Sequence, residues 1–339
     1  MMNKNFDQKN LILASEMLKS NSSWSIFTHA KSDGDAMGSA TALFEAGINL
    51  GKNVRWFTPD KNLPETYKFL SHSDEFITCE NFGFDEENVL YVFLDCSNEV
   101  RGVKGFDISK NLNALNIDHH EDNSLYCRVN CVDGLASSTC EMLYRIFKAD
   151  NWNITPKIAE SLYLGMFTDT GGFSFSNTTP LTHRAVAELI ELGIKPDRMS
   201  DLISQNKRYS DFLLWSRAMS RVKIFGHENI FALTTIFLKD FEEVGADMTG
   251  TEGLSSMLMT LRGVKLASTI TQYPNGDTRL SIRSREGSPF GAGELGRMFG
   301  GGGHERAAGA SFNDVPIEEA QSKLEEIIMN KYHECVSVD

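Results

Sequence analysis

The chain has 339 residues, of which 41% are hydrophobic and 23% charged, so it is long enough for about two globular domains. The net charge of -13, from 33 basic and 46 acidic residues, argues against a surface for long nucleic acid, because such binding depends on many contacts from lysine and arginine to phosphate. No run approaches the roughly 20 apolar residues that span a bilayer, and the polar start MMNKNFDQKN is unlike a signal peptide, so a cytoplasmic protein without membrane contact is predicted.

Helices and strands are predicted to alternate from the start of the chain. An amphipathic helix over roughly residues 10–20 leads into the strand WSIFTHA, and a helix that ends at Gly51 follows the polar turn KSDGD. The further predicted strands, apolar as in a parallel sheet, are KNVRWFTP, NVLYVFLD and ALNIDHH.

Two more helices are predicted from the segments SSTCEMLYRIFKA and TPKIAESLYLGMFTDTG. The first has a Ser/Thr-type start, and the second has Thr155 as the N-cap candidate and Pro156 at the first helical position. This alternation predicts a doubly wound, mainly parallel α/β domain over residues 1–200. In such sheets, ligands bind beyond the carboxyl ends of the strands.

The pattern changes after about residue 200. Residues 201–225 are predicted to form a helical linker, and residues 226–339 a second, smaller α/β domain. In that domain, the segment TQYPNGDTRLSIRS predicts a hairpin, because two β-rich runs flank the turn residues Asn275 and Gly276.

Acidic and imidazole side chains occur in four clusters where a predicted strand or helix ends. The clusters contain His29, Asp33 and Asp35; Asp95; Asp118, His119 and His120; and Asp169. Because Asp95 and Asp118 each end an apolar strand, a parallel sheet would bring both to one edge. Taken singly, each aspartate has an ordinary explanation in a turn or a helix cap. The adjacent pair His119 and His120 is harder to explain in that way, since neither histidine is readily buried without a partner.

Several carboxylates in one cleft repel each other and need compensating positive charge. Aspartate and histidine without cysteine favour an ion of the Mn²⁺ type, and none of the six cysteines forms a CxxC pair that would indicate structural zinc. More than four candidate ligands indicate two metal ions that share a carboxylate. Two ions about 3.5–4 Å apart can clamp a phosphoryl group and generate hydroxide near neutral pH.

The order of these clusters resembles the four motifs of the DHH phosphoesterase superfamily, which is named for the tripeptide found here at Asp118-His119-His120. The segment GAGELGRMFGGGGHERAAGASF resembles the GGGH element of the DHH-associated domain. The resemblance spans nearly the whole chain. Within the superfamily, the chain is similar to the nanoRNases and pAp phosphatases of the NrnA type.

The resemblance implies the roles of the clustered residues. The implied ligands of two Mn²⁺ ions are His29, Asp33 and Asp95 for one ion, and Asp35, Asp95, His119 and Asp169 for the other. Asp95 then bridges the ions, Asp118 orients an imidazole, and His120 faces the reacting phosphate. The implied catalytic residues are therefore Asp95, Asp118 and His120.

The second domain is predicted to hold the substrate. Its glycine run at residues 300–303 permits close backbone approach to a phosphate, although such a run alone is more often a flexible loop. Arginine offers a bidentate fork for a terminal phosphate. The predicted substrate contacts are Arg101, Arg283, Ser284, Gly302, Gly303 and His304, of which Arg101 is equally consistent with a solvated surface residue.

The resemblance implies an enzyme that cleaves P–O3′ bonds. It would hydrolyse short RNA and dinucleotides such as pApA to nucleoside 5′-monophosphates, and pAp to AMP and phosphate. Four alternatives stay open: a processive RecJ-like exonuclease, a manganese-dependent pyrophosphatase or exopolyphosphatase, a linear or cyclic dinucleotide phosphodiesterase, and a non-catalytic nucleotide-binding regulator. Length and charge disfavour the first, and the intact acidic motifs disfavour the last. The sequence is compatible with a homodimer.

Overall fold

Two six-stranded sheets form the frame of the protein, one in each of the units into which the chain divides, Met1–Asn206 and Lys207–Asp339. A computed structural model describes residues 8–84, 87–110, 112–204, 207–303, 305–313 and 315–336. Within these residues, no helix combines the length and the apolar content that crossing a membrane requires.

The first unit contains a parallel sheet with the strand order β3-β2-β1-β4-β5-β6. Its elements are α1 (Gln8–Ser20), β1 (Ser23–Phe27), α2 (Gly34–Asn49), β2 (Asn53–Thr58), β3 (Phe76–Thr78), β4 (Val89–Leu94), β5 (Ala114–Asp118), β6 (Val129–Val132), α3 (Thr139–Ala149), α4 (Pro156–Asp169), α5 (Pro180–Glu191) and α6 (Pro196–Ser204). The strand order reverses between β1 and β4, which is the point where doubly wound sheets bind ligands. The predicted parallel α/β fold is confirmed.

The two faces of this sheet are covered differently. Helices α1 to α4 pack on one face over a core that includes Trp24, Ile26 and Val92. On the other face, Phe27 stacks between Phe57 and Phe93, with ring centroids 5.3 and 5.1 Å away. In the described part of the chain between β2 and β6, aromatic loop segments rather than α-helices cover this face. The predicted alternation of helices and strands is interrupted here, where large aromatic rings bury the face of the sheet instead.

Small residues bring the start of α2 against the end of α4. A Cβ atom on Gly38 would collide with the carbonyl oxygen of Ser161, and one on Gly34 would collide with the side chain of Thr168. These glycines therefore let the two helix backbones approach closely. As a result, the residues that flank Gly34 lie near the carboxyl end of α4, where Asp169 is found.

The second unit contains a mixed sheet with the strand order β11-β12-β10-β9-β8-β7. Its elements are α7 (Tyr209–Met219), β7 (Lys223–Phe225), β8 (Phe231–Ile236), α8 (Leu238–Val244), α9 (Leu254–Leu258), β9 (Leu266–Gln272), β10 (Thr278–Ser284), α10 (Ala292–Met298), β11 (Gly302–Gly303), β12 (Ala307–Phe312) and α11 (Ile317–Val336). Strands β8 and β9 are parallel, and the other pairs are antiparallel. The predicted second α/β domain is confirmed, with β9 and β10 as its hairpin.

Helix α7, which falls in the predicted linker, packs on the second unit. Leu214 and Trp215 are buried in one cluster with Ile236 and Phe241. The indole Nε1 of Trp215 donates a hydrogen bond of 2.7 Å to the carbonyl oxygen of Gly250. The apolar face of this helix is therefore part of a core, as its sequence period requires.

Candidate metal centre

The first predicted cluster follows β1 and starts α2. Asp33 is the N-cap of α2, and its Oδ1 accepts hydrogen bonds of 3.0 and 3.1 Å from N–H groups of the first turn. The ring of His29 is buried, with Nδ1 2.9 Å from the carbonyl oxygen of Ala30 and Nε2 3.2 Å from Asp95 Oδ2. Burial alone would lower the pKa of His29, but the hydrogen bond to Asp95 and the charges of Asp33 and Asp95 raise it to about 9. The Ala30 contact directs Nε2 toward the acidic groups.

Asp35 lies in the first turn of α2 and is tied to the start of α3. Its Oδ2 accepts a hydrogen bond of 2.6 Å from the N–H of Thr139, and its Oδ1 accepts one of 2.9 Å from the N–H of Cys140. Gly165 in α4 makes room for this carboxylate, because a Cβ atom there would collide with Asp35 Oδ1. Burial raises the pKa of Asp35 to about 7, and the charge of Asp95 adds to the effect. Two main-chain N–H groups thus hold the carboxylate rigidly.

Asp95 follows β4, and its two carboxylate oxygens face in different directions. Oδ2 lies 3.2 Å from His29 Nε2, whereas Oδ1 lies 3.6 Å from His119 Nε2 and accepts a hydrogen bond of 3.1 Å from Thr139 Oγ1. Burial would raise the pKa of Asp95, but the hydrogen bond to His29 and the charges of three histidines hold it well below its usual range. The backbone φ of 59° is unusual for a residue other than glycine, and such strain is typical of functional sites. Asp95 is therefore an anion placed between two sets of ligand atoms.

Asp118, the last residue of β5, holds its neighbours in place. Its Oδ1 accepts hydrogen bonds from the N–H of His119 at 2.8 Å and from His120 Nδ1 at 2.7 Å, and its Oδ2 accepts one of 2.6 Å from Asn123 Nδ2. The opposite ring atom, His120 Nε2, lies 3.0 Å from Arg101 Nη1. The structure thus brings Asp118, His120 and Arg101 into one hydrogen-bonded chain.

His119 links β5 to the carboxyl end of α4. Its Nε2 lies 3.4 Å from Asp169 Oδ2, 3.6 Å from Asp95 Oδ1 and 3.9 Å from Asp35 Oδ2. Burial raises the pKa of Asp169 well above its usual range, and the charges of neighbouring carboxylates, Asp35 first, add to the effect. One imidazole nitrogen therefore faces three carboxylates from three different segments.

Three groups of side chains have ligand atoms close enough to share a metal ion, within 4.8 Å of one another. They are Asp95, Asp118, His119 and His120; His29, Asp33 and Asp95; and Asp35, His119 and Asp169. The second group and the third, together with Asp95, contain the side chains that the sequence analysis assigned to two ions. The oxygens of Asp118 in the first group already accept hydrogen bonds, which suits an orienting role.

The donor atoms and their electrostatics fit divalent metal. These groups of described residues offer carboxylate oxygens and imidazole nitrogens, with no cysteine among them, a set that suits Mn²⁺-type ions better than a structural zinc site. The raised pKa values of Asp35 and Asp169 indicate that positive charge is needed to keep both ionised. Buried carboxylates of this kind are usually paired or bound to metal.

Three residues of this site were not predicted from the sequence. Thr139 contacts both Asp35 and Asp95, and Gly165 leaves the space for Asp35. Asn177 Nδ2 donates to the carbonyl oxygens of Ser137 at 3.0 Å and Asp169 at 3.1 Å, joining the segment before α3 to the end of α4. The Ser/Thr-type start of α3 was visible as a helix signal, but nothing in it indicated a carboxylate partner.

The predicted substrate residues of the second unit differ in their surroundings. Arg283 is half-buried, and its Nη1 donates a hydrogen bond of 3.0 Å to the carbonyl oxygen of Ile282. Burial lowers the pKa of this guanidinium, and no carboxylate within the described residues is paired with it. The buried hydroxyl of Ser284 donates to the carbonyl oxygen of Glu305 at 2.6 Å and accepts from the N–H of Ala292 at 3.1 Å. Arg283 is therefore available to an anion, whereas Ser284 holds the local structure.

The second half of the glycine run forms a strand rather than an open loop. Gly302 and Gly303 make up β11 and pair with β12. A Cβ atom on Gly303, whose φ is 140°, would collide with the carbonyl oxygen of Ala307. The close approach that Gly303 permits is thus first to β12, whereas a Cβ atom on Gly302 would meet no described atom within 4 Å. His304, the other residue predicted in this segment, lies outside the described residues.

Comparison with known proteins identifies both parts of the chain. The profile of the DHH family, N-terminal domain, matches residues 24–166, and that of the DHHA1 domain matches residues 231–330. The chain is 30% identical to the bifunctional oligoribonuclease and PAP phosphatase NrnA of Thermus thermophilus, over 89% of this chain and 88% of that protein. It is 29% identical to the protein of the same name from Bacillus subtilis, over 84% and 87% of the two chains.

A solved structure has the same fold over its whole length. The exopolyphosphatase-related protein from Bacteroides fragilis superposes with a TM-score of 0.85 and covers 98% of both chains, at 22% sequence identity. At this identity the similarity describes the fold of the chain.

Proposed function

The chain belongs to the DHH family of phosphoesterases, and we propose that it hydrolyses short oligoribonucleotides and pAp with the help of two divalent metal ions. Dinucleotides such as pApA would give nucleoside 5′-monophosphates, and pAp would give AMP and phosphate. The observation that carries the proposal is the position of Asp95, whose two oxygens face the His29 and His119 sides of one acidic cluster. The names of the NrnA relatives support the choice of substrates.

Two ligand sets of this chain would hold the metal ions. They are His29, Asp33 and Asp95 for one ion, and Asp35, Asp95, His119 and Asp169 for the other, with Mn²⁺ as the proposed metal. When bound, two such ions polarise a phosphoryl oxygen and lower the pKa of water. Asp95 is ionised and rigidly placed, so it can serve both sets.

His120 and Arg101 are proposed to act on the phosphate and the leaving 3′-oxygen. Burial opposes protonation of His120, but the hydrogen bond to Asp118 and the charges of Asp95 and Asp118 raise its pKa, which favours the acid form. A guanidinium can only donate, so its contact with Nε2 uses the neutral ring. A phosphate bound by Arg101 would release Nε2, which would take up a proton from solvent, as the raised pKa favours, and would then donate it to the leaving oxygen.

In the second unit, Arg283 is the proposed anchor for a terminal phosphate, with the backbone of Gly302 and Gly303 and with His304 as further contacts, whereas the hydroxyl of Ser284 is already used within the unit. The half-buried guanidinium of Arg283 has a main-chain carbonyl as its described partner, so a phosphate would supply the negative charge that this position lacks.

Arg283→Ala should raise KM for pAp by about 10-fold or more while kcat changes little, because a terminal-phosphate contact is equally present in ground and transition states. Steady-state kinetics with pAp in Mn²⁺ measures the split. The matched control is Arg279→Ala on the same strand. The guanidinium of Arg279 lies over the ring of Tyr273, 4.0 Å from the ring centroid, and Arg279 is not among the proposed substrate contacts. A loss confined to kcat in Arg283→Ala would contradict the holding role.

A turnover panel separates this proposal from its alternatives. We expect pAp, pApA and a five-nucleotide RNA to be hydrolysed in Mn²⁺, and pyrophosphate and cyclic di-AMP to be turned over far more slowly. Release of phosphate from pyrophosphate alone would favour a pyrophosphatase, an activity that the NrnA relatives do not support. Tight binding of pAp without turnover would indicate a nucleotide-binding regulator. A cytoplasmic location and a homodimer stay predictions.

A further inference from the structure

Thr139 lies between Asp35 and Asp95 in the acidic cluster. It is the first residue of α3, directly after the N-cap Ser138, and its side chain is fully buried. Its main-chain N–H donates a hydrogen bond of 2.6 Å to Asp35 Oδ2, and its hydroxyl donates one of 3.1 Å to Asp95 Oδ1. One residue of α3 thus contacts a carboxylate from α2 and a carboxylate from the turn after β4.

We infer that Thr139 is a positioning residue, which sets the orientation of Asp95 relative to Asp35 and thereby the metal affinity of the centre. This inference rests on the proposed function, since it concerns the carboxylates that would hold the two ions. Thr139 itself would touch neither metal nor substrate.

The helix makes Thr139 a rigid support. Its N–H group belongs to the first turn of α3, where N–H groups lack partners within the helix, so the Asp35 contact also satisfies an otherwise unpaired donor. The N-cap bond from the N–H of Glu141 to Ser138 Oγ, 3.0 Å long, fixes this first turn. The branched side chain of a threonine in a helix is restricted to few χ1 rotamers, so its hydroxyl has few positions to choose from.

The Asp95 hydrogen bond decides which way that carboxylate is turned. Thr139 Oγ1 occupies the Oδ1 side, and His29 lies on the Oδ2 side, so the carboxylate plane is pinned from both ends. If the imidazoles of His29 and His119 turn to metal, Thr139 can still donate to a second lone pair of Asp95 Oδ1. A neutral hydroxyl also orients the carboxylate without adding the positive charge that would weaken cation binding.

The chain offers a conservative series of variants and a matched control. Thr139→Val removes the hydroxyl and keeps the branched shape, Thr139→Ala removes the hydroxyl without placing a methyl group against Asp95, and Thr139→Ser keeps the donor. Thr41→Val makes the same change at another buried threonine of this unit, whose hydroxyl contacts Met37 O at 2.8 Å and Ser161 Oγ at 2.9 Å.

Calorimetric titration of the metal-free protein with Mn²⁺ measures the affinity for the ion, and it tests the inference without any catalytic readout. We expect Thr139→Val and Thr139→Ala to bind Mn²⁺ about 10–100-fold more weakly than wild type, and Thr139→Ser and Thr41→Val to bind it like wild type. The Mn²⁺ concentration for half-maximal pAp hydrolysis should rise by the same factor, while KM for pAp at saturating Mn²⁺ stays unchanged.

The outcomes distinguish this inference from the proposed function. Wild-type affinity in both Thr139→Val and Thr139→Ala would overturn the positioning role alone. A wild-type protein that binds no Mn²⁺ would overturn the proposed function together with this inference. If valine prevents folding, the comparison of Thr139→Ser with Thr139→Ala decides, and equally weak binding in both would overturn the inference.

Discussion

Asp95→Asn should lower kcat for pAp in Mn²⁺ by about 10³-fold or more, because it removes the one negative charge that both proposed metal ions share. Asparagine is nearly the same size as aspartate and is among the residues that tolerate a left-handed backbone, so the φ of 59° at this position can be kept. The change therefore tests the charge and the ligand atoms rather than the fold. Steady-state hydrolysis of pAp and pApA measures the effect.

The control for this variant is Asp74→Asn, which makes the same change at an exposed turn of the first unit. Its activity should equal that of the wild type. Circular dichroism and thermal unfolding of metal-free Asp95→Asn should show a folded protein. Near-normal turnover in Asp95→Asn would show that the bridging assignment is wrong.

Removal of divalent metal should abolish hydrolysis, and adding Mn²⁺ back should restore it and stabilise the protein. At a free concentration of 100 times Kd, one bound ion stabilises by about 2.7 kcal/mol, which is roughly 5–10 °C in Tm for a unit of this size. The ion stabilises the protein because it binds only the folded state. Its ligands lie on four separate segments of the chain, which come together only on folding. Thermal unfolding with and without Mn²⁺, after treatment with a chelator, measures the shift.

This stabilisation should be larger at pH 8 than at pH 6. The pKa of Asp35 is raised to about 7 in the folded metal-free protein. Ionisation of Asp35 therefore lowers the free energy of unfolding of the metal-free protein as pH rises from about 4 to 7. The pKa of His29 is raised to about 9, so its stabilising effect is complete below about 6.5 and is lost as pH rises through 9. Asp95, with its lowered pKa, is ionised throughout and contributes no change. Metal also competes with fewer protons at pH 8. An equal or smaller Tm shift at pH 8 would contradict the assignment of these groups.

Much of the first unit follows from local patterns in the chain. The apolar run VLYVFL is β4, buried along its full length, and Asp118 ends β5 as the segment ALNIDHH indicated. Thr155 caps α4, with Pro156 at its first position. The aromatic face was not predicted, because Phe27, Phe57 and Phe93 stack only after three separate strands pair in register.

The glycine run shows the opposite case. Its composition permits a loop or a close backbone approach, and composition does not show that Gly302 and Gly303 pair with Gly309 and Ala308. Pairing with β12 makes residues 302 and 303 of the run a strand. Ser284 likewise has a hydroxyl suited to a ligand, yet its partners are Glu305 and Ala292 within the same unit.

Residue identity and order were enough to indicate the chemistry of the centre, because aspartate and histidine at strand ends are recognisable without coordinates. The supporting residues were not, because a threonine or glycine acquires its role from what packs against it. Thr139 matters through Asp35 and Asp95, which are 104 and 44 residues away in the chain, and Gly165 matters through the space it leaves for Asp35. Contacts of that range form only when helices and sheet pack, so they are a property of the folded unit and leave no local mark in the chain.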